Sequence, residues 1–268
     1  MNISTTAQSN GGEAKPTLHT GAEISAAEWE TRVDLAAAYR YAALKEWDEL
    51  TFAHLSARVP GATDQFLFHS AALLFEEVTA SNLHKLDFKG DHVAPSDEPA
   101  HRFAFPFHKG VYDAFEQAQC IIHLHTRYGT AVAAQAGGLQ PCSQYPLWLG
   151  PIGYHEYEGL LSTEAEGQRL AAAFGQGQIV MQKGHGFVLW GRSVQEAVMI
   201  ALLLDRACET QILAASGGKD LYALNEEVQA QSVAEGWRII IDGTSPFNGL
   251  TWDAIRRKVG RDLPGYDS

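Results

Sequence analysis

Cys120-Ile-Ile-His123-Leu-His125-Thr-Arg127-Tyr128 passes from a buried strand into a helix within a few residues. The apolar run from Cys120 is too short for a helix and reads as a strand. From Tyr128 to Ala136 small residues predominate and predict a helix, which Gly137-Gly138 ends. Alternate residues of a strand project from one face, so His123 and His125 present two imidazoles to the same point. Both can reach one ion at roughly 2.0–2.1 Å. They stand at a strand end, where α/β folds place their ligands.

The flanking sequence supplies the other elements. Upstream, Ser25-Ala-Ala-Glu28 reads as a capping box opening a helix, with Trp29, Val33, Ala36, Ala37, Arg40 and Leu44 at helical spacing. Leu50–Val59 and Gln65–Phe68 read as strands joined by the turn Pro60–Asp64; Asp87–Asp91 is a further turn and Pro95–Pro99 a loop. Phe105–Gln117 is helical and carries His108. Downstream, capping boxes at Thr163–Glu166 and Ser193–Glu196 open helices towards Phe174 and about Ala215. Gln178–Gln182 and Phe187–Trp190 are strands on either side of Lys183-Gly-His-Gly186, and the last fifty residues hold two helices around Ile239–Asn248. With no internal repeat, one mixed α/β domain is expected. Its boundaries are a disordered lead-in over 1–22, the main domain over 23–218 and a helical C-terminal arm over 219–268.

Composition narrows the function. The chain has 268 residues, 46% of them hydrophobic and 19% charged, as expected of a soluble globular protein. Twenty Lys and Arg against 32 Asp and Glu give a net charge of −12, which argues against a nucleic-acid or anionic-membrane partner. No apolar run approaches the length of a spanning helix, and Met1–Leu18 has no apolar secretory core. Three cysteines without CxxC spacing disfavour a disulfide framework or a thiolate zinc site and fit a cytoplasmic protein.

His185 lies between Gly184 and Gly186 at a strand–turn–strand junction and is the natural third partner for His123 and His125. A hairpin histidine facing solvent is the alternative reading. Arg127, two residues past the pair, has the fork geometry to hold a carboxylate, and an exposed arginine at a helix start is its other reading.

Five ordered blocks carry a resemblance: Ala53-His-Leu-Ser-Ala-Arg58, Glu77-Val-Thr-Ala-Ser-Asn-Leu83, Ile121-Ile-His-Leu-His-Thr126, Gly153-Tyr-His-Glu-Tyr-Glu-Gly159 and Gly184-His-Gly186. From about Trp47 to Ser216 the chain resembles the class II aldolase/adducin family, and several blocks are closer to its adducin-like branch. The resemblance implies a three-layer domain, a central mixed sheet flanked by helices, assembled as a homotetramer. It implies His123, His125 and His185 as ligands of one divalent ion, zinc first, with manganese or iron as alternatives. Tyr145 falls at the place of a tyrosine proton donor that reaches a neighbouring subunit's site, or is a packed core tyrosine. His54 matches the adducin-like signature and would bind a substrate anion or orient its loop. His108 would be an acid/base or outer-shell group. The implied enzyme is a lyase breaking a C–C bond next to a carbonyl, by aldol cleavage or decarboxylation. The alternatives are a three-histidine non-heme Fe(II) oxygenase and a non-enzymatic interaction module like the adducin head.

The chain departs from the sugar-phosphate aldolases at three places. Ala104 stands where they carry a catalytic Glu, Phe68-His-Ser-Ala-Ala-Leu73 replaces their phosphate-holding Thr-Gly segment, and Gly184 replaces the usual Asn or His before the third ligand. A small, non-phosphorylated hydroxy, oxo or aromatic acid is therefore the expected substrate.

Overall fold

The computed structural model describes residues 24–93, 96, 104–159, 163–218, 220–236 and 246–268. Ser25 opens helix α1 (Ala26–Leu44) by accepting the Glu28 amide at 3.1 Å. The carboxylate of Glu28 does not complete the expected capping box. It turns instead to Arg32 Nε at 3.0 Å and Lys85 Nζ at 2.7 Å. Strands β1 (His54–Arg58), β2 (Gln65–Phe68) and β3 (His84–Asp87) follow. Helix α2 (Phe105–Ala114) leads into β4 (Cys120–Leu124), then α3 (Arg127–Ala133) and the short α4 (Gln144–Leu147). Next come β5 (Ile152–His155), α5 (Glu164–Ala173), β6 (Ile179–Gln182) and β7 (Gly186–Gly191). Helices α6 (Val194–Ala215), α7 (Glu226–Gly236) and α8 (Pro246–Asp262) complete the described chain.

The strands form one mixed sheet in the order β3-β2-β1-β4-β7-β6-β5, antiparallel except for the parallel pair β5 and β6. Its two faces follow the period-2 alternation of side chains. Leu55, Leu67, Ile122, Leu189 and Met181 pack with α1 and α6 in one core. Phe66, Phe68, Ile121, Val180 and Val188 pack with α2 and α5 in a second. This is the expected three-layer arrangement. Trp252, Ile255 and Val259 of α8 enter the first core, and Trp252 Nε1 donates to Asp34 Oδ1 at 2.9 Å. Arg40 fixes the chain end by donating to Leu263 O at 3.2 Å and to Pro264 O.

Several boundaries differ from expectation. The first strand begins at His54, not Leu50, because Leu50 takes a left-handed φ of 53° and lies exposed in a turn. Two edge strands, β3 and β5, carry little sequence signal: His-Lys-Leu-Asp is mostly polar and Ile-Gly-Tyr-His contains a glycine. The lead-in 1–22, the Pro95–Pro99 loop apart from Ser96, and the stretch between α7 and α8 lie outside the described residues.

Candidate metal centre

The alternation that buries Ile121 beneath α2 turns His123 to the same face, two residues nearer the strand end. His54 of β1 is its register partner, so the two rings lie side by side with centroids 4.7 Å apart. His125 follows one residue beyond β4. His185 enters from the β6–β7 turn, which α3 holds in place: the Gly184 amide donates to Ala133 O at 3.0 Å and Thr130 Oγ1 to His185 O at 3.2 Å. Gly186 is required by close approach. A Cβ there would lie 2.4 Å from Leu124 O and 2.9 Å from His125 Cδ2.

The structure thus brings His123, His125 and His185 together, with one candidate donor atom from each lying within 4.8 Å of the others. Hydrogen bonds at Nδ1 orient two of the rings. His123 Nδ1–H donates to Phe187 O at 3.0 Å, and His125 Nδ1–H donates to Glu49 Oε2 at 2.8 Å. In the neutral rings Nε2 then carries the lone pair, which is the arrangement that metal-binding histidines use. The two Nε2 atoms stand 2.8 Å apart. Burial, reinforced by the neighbouring imidazoles, holds His123 well below the ordinary histidine range and brings His185 down to about 4. At neutral pH these two rings are uncharged, the form that can ligate a cation. The donor set fits a divalent ion of zinc type.

Behind His54 runs a buried polar chain. His54 Nδ1 lies 2.7 Å from His108 Nε2, His108 Nδ1 2.6 Å from Ser56 Oγ, and Ser56 Oγ 2.8 Å from Tyr112 Oη. His108 is fully buried on α2 with both ring nitrogens engaged. Other candidates stand apart from the cluster. The Arg127 side chain is 82% exposed and pairs with Glu46 at 3.1 Å. Tyr145 packs edge-on against Trp148, centroids 5.7 Å apart. Ala104 is buried at the start of α2, and its carbonyl accepts the His108 amide. In the Phe68–Leu73 segment the Ala72 and Leu73 amides are both used internally, donating to Ser70 Oγ at 3.2 Å and Ser70 O at 3.1 Å.

Sequence reading missed Glu49, Ser56 and Tyr112. Ser56 is two residues from His54 on a strand, and Tyr112 is four from His108 on a helix, so same-face spacing carries a signal for both. Glu49 sits in an irregular turn, where no periodicity exists to read.

Residues 33–212 match the family described as Class II Aldolase and Adducin N-terminal domain. A Pseudomonas aeruginosa protein provisionally named an aldolase class 2 protein is 39% identical over 251 residues, which span 91% of this chain and 95% of that protein. Mouse alpha-adducin is 39% identical over 194 residues, 70% of this chain but 26% of the adducin. The crystal structure of an aldolase II superfamily protein from Pseudomonas syringae superposes with a TM-score of 0.87 at 38% identity, covering 91% of this chain and 98% of that one. The seven-stranded sheet, the clustered histidines and these matches together establish that the chain belongs to the class II aldolase and adducin family.

Proposed function

We propose that the protein is a divalent-metal-dependent lyase that breaks a C–C bond next to a carbonyl, by aldol cleavage or decarboxylation. The observation that carries this reading is the set of three imidazoles, His123, His125 and His185, with two Nδ1 atoms already engaged and Nε2 left as donor. Zinc held there, or manganese or iron, would supply a Lewis acid and a template for the substrate oxygens. His54 lies against His123 and binds a substrate oxygen, with His108 behind it as the group that sets its orientation. Tyr145 delivers the proton from a neighbouring subunit of a homotetramer, and Arg127 waits at the rim for a carboxylate.

The substrate we propose is a small non-phosphorylated hydroxy, oxo or aromatic acid. Two features support this choice: the Ala72 and Leu73 amides are spent within their own turn, and Ala104 offers no carboxylate. A net charge of −12 supports a small-molecule partner over nucleic acid or an anionic membrane, and a cytoplasmic setting completes the proposal. Among the described residues no helix is long and apolar enough to cross a membrane.

Metal analysis of protein purified without chelator, followed by a substrate panel run with and without oxygen, tests the reading. Bound zinc or manganese with oxygen-independent lysis supports it. Turnover that consumes oxygen with Fe(II) replaces it with the oxygenase. Protein that binds no divalent ion and turns over nothing leaves the interaction module, which the alpha-adducin match favours.

A further inference from the structure

We propose that Tyr157 is a specificity-determining residue whose ring walls the entrance to the histidine cluster, so that the site prefers an acid carrying an aromatic ring beside its chelating oxygens. The inference rests on reading the cluster as a metal-dependent active site, and it narrows the substrate of that site to the aromatic class.

The three histidines are not equally buried. His123 lies in the interior, whereas His125 and His185 are half-buried. Solvent, and with it any substrate, reaches the three donors past these two rings, whose centroids are 4.5 Å apart. Tyr157 stands on that side. Its ring meets His185 at 5.6 Å between centroids and 87° between planes, an edge-to-face geometry that aromatic pairs favour. His185 covers only part of the phenol, and 55% of the residue remains exposed. That ring therefore has apolar surface still to cover, directly beside a candidate ligand.

The chain holds the ring in this place. Tyr157 lies two residues past β5, between two glutamates that are each tied down. Glu156 pairs with Lys183 of the β6–β7 turn, and Arg169 of α5 donates to both carboxylate oxygens of Glu158, from Nε at 2.7 Å. The His155 carbonyl accepts the Lys183 amide at 2.9 Å, which joins the segment to the turn that carries His185. Gly159 then turns the chain away with a φ of +117°, where a side chain would be strained. The same pairs decide the chemistry of the wall. Lys183 and Arg169 are spent on glutamates, so among the described residues of this flank neither cation is left for a phosphate. The His125 flank also presents an apolar side chain: Leu50 follows Glu49 directly, is 67% exposed and holds a left-handed φ of 53°. An apolar ring suits this entrance better than a second anionic group.

Binding of two α-hydroxy acids to the zinc-loaded full chain tests the proposal. Glycolate and mandelate offer an ion the same pair of oxygens and differ by a phenyl ring. Calorimetry should give mandelate about tenfold tighter binding than glycolate, the scale of one aromatic contact with its buried area. Tyr157→Phe should keep that preference. Tyr157→Ala should cut it to about threefold or less, with glycolate affinity and zinc content unchanged. Equal affinities in the wild type, or a preference that survives in Tyr157→Ala, overturns the proposal. So does loss of zinc and glycolate together with mandelate, which would make Tyr157 a support for His185. Failure of the lyase reading looks different: mandelate is preferred through Tyr157, but no C–C bond is cleaved in the substrate panel. Protein that takes up no zinc overturns both.

Discussion

His123 Nε2 and His125 Nε2 face each other at 2.8 Å while both Nδ1 atoms are committed to acceptors, Phe187 O and Glu49. Two lone pairs at that separation repel unless a proton or a cation lies between them. A shared proton would make one ring an imidazolium, and burial opposes that at His123. A divalent ion would resolve the conflict, and His185 offers a third candidate donor. His123→Ala should therefore lower zinc affinity by more than about tenfold. Elemental analysis after dialysis against free zinc measures this, with circular dichroism to show that the fold persists. Full zinc occupancy in the variant would sink the assignment.

Glu49 should tune the ion without holding it. Its carboxylate fixes the His125 tautomer from an exposed turn, so replacing it leaves the core intact. Outer partners of this kind contribute about 10–100-fold in metal affinity. Glu49→Gln is expected in that range, read by competition with a chromogenic chelator, with a melting temperature close to wild type. An unchanged affinity would remove Glu49 from the site.

The three clustered histidines were legible in sequence for different reasons. His123 and His125 follow from strand periodicity alone, whereas His185 needed the likeness to known relatives, because a turn between two glycines carries no direction. The mixed α/β character was legible in the order of strand and helix patterns, whereas the three layers were expected from the likeness to known relatives. The buried chain behind His54 was not assembled, although each of its members has a same-face spacing to another. What joins them is the packing of α2 across β1, a tertiary fact that neither segment encodes by itself.

Acid should destabilise the metal-free protein. His185 falls from an ordinary value near 6.5 in the unfolded chain to about 4 in the folded one, so below 6.5 the unfolded state binds more protons. Stability is then full above about pH 6.5, declines as pH drops towards 4, and flattens below that. His123, also lowered, acts in the same direction. Thermal melts of chelator-treated protein across this window should show the decline, and His185→Gln should show a shallower one. Equal slopes in the two proteins would contradict the assignment of His185.

Tyr145 can act only if a second subunit completes the site, since within one chain it packs on Trp148. Tyr145→Phe should reduce turnover by about 10²–10⁴-fold, the usual share of a general acid, with zinc content and assembly unchanged. Mixing it with inactive His123→Ala and exchanging subunits should restore part of the activity through hybrid sites. A monomer by light scattering, or no rescue after verified exchange, excludes the shared-site role.

The two glycines flanking His185 should fail in different ways. At Gly184 the space is open, but φ is +70°, so an alanine there costs about 1–2 kcal/mol of backbone strain and touches nothing. At Gly186 the backbone is ordinary and the space is absent: the new methyl would lie 2.4 Å from Leu124 O and 2.9 Å from His125 Cδ2. A carbonyl in a strand cannot rotate away, so β4 and β7 must part just where His123 and Leu124 are held in register with Val188 and Phe187. Overpacking of this kind costs about 1–3 kcal/mol. Both variants should therefore melt at lower temperature. Zinc affinity should separate them, falling about tenfold or more in Gly186→Ala, by analogy with lost ligand positioning, and little in Gly184→Ala. Equal affinities in the two would show that the β4–β7 approach does not position the His125 ring.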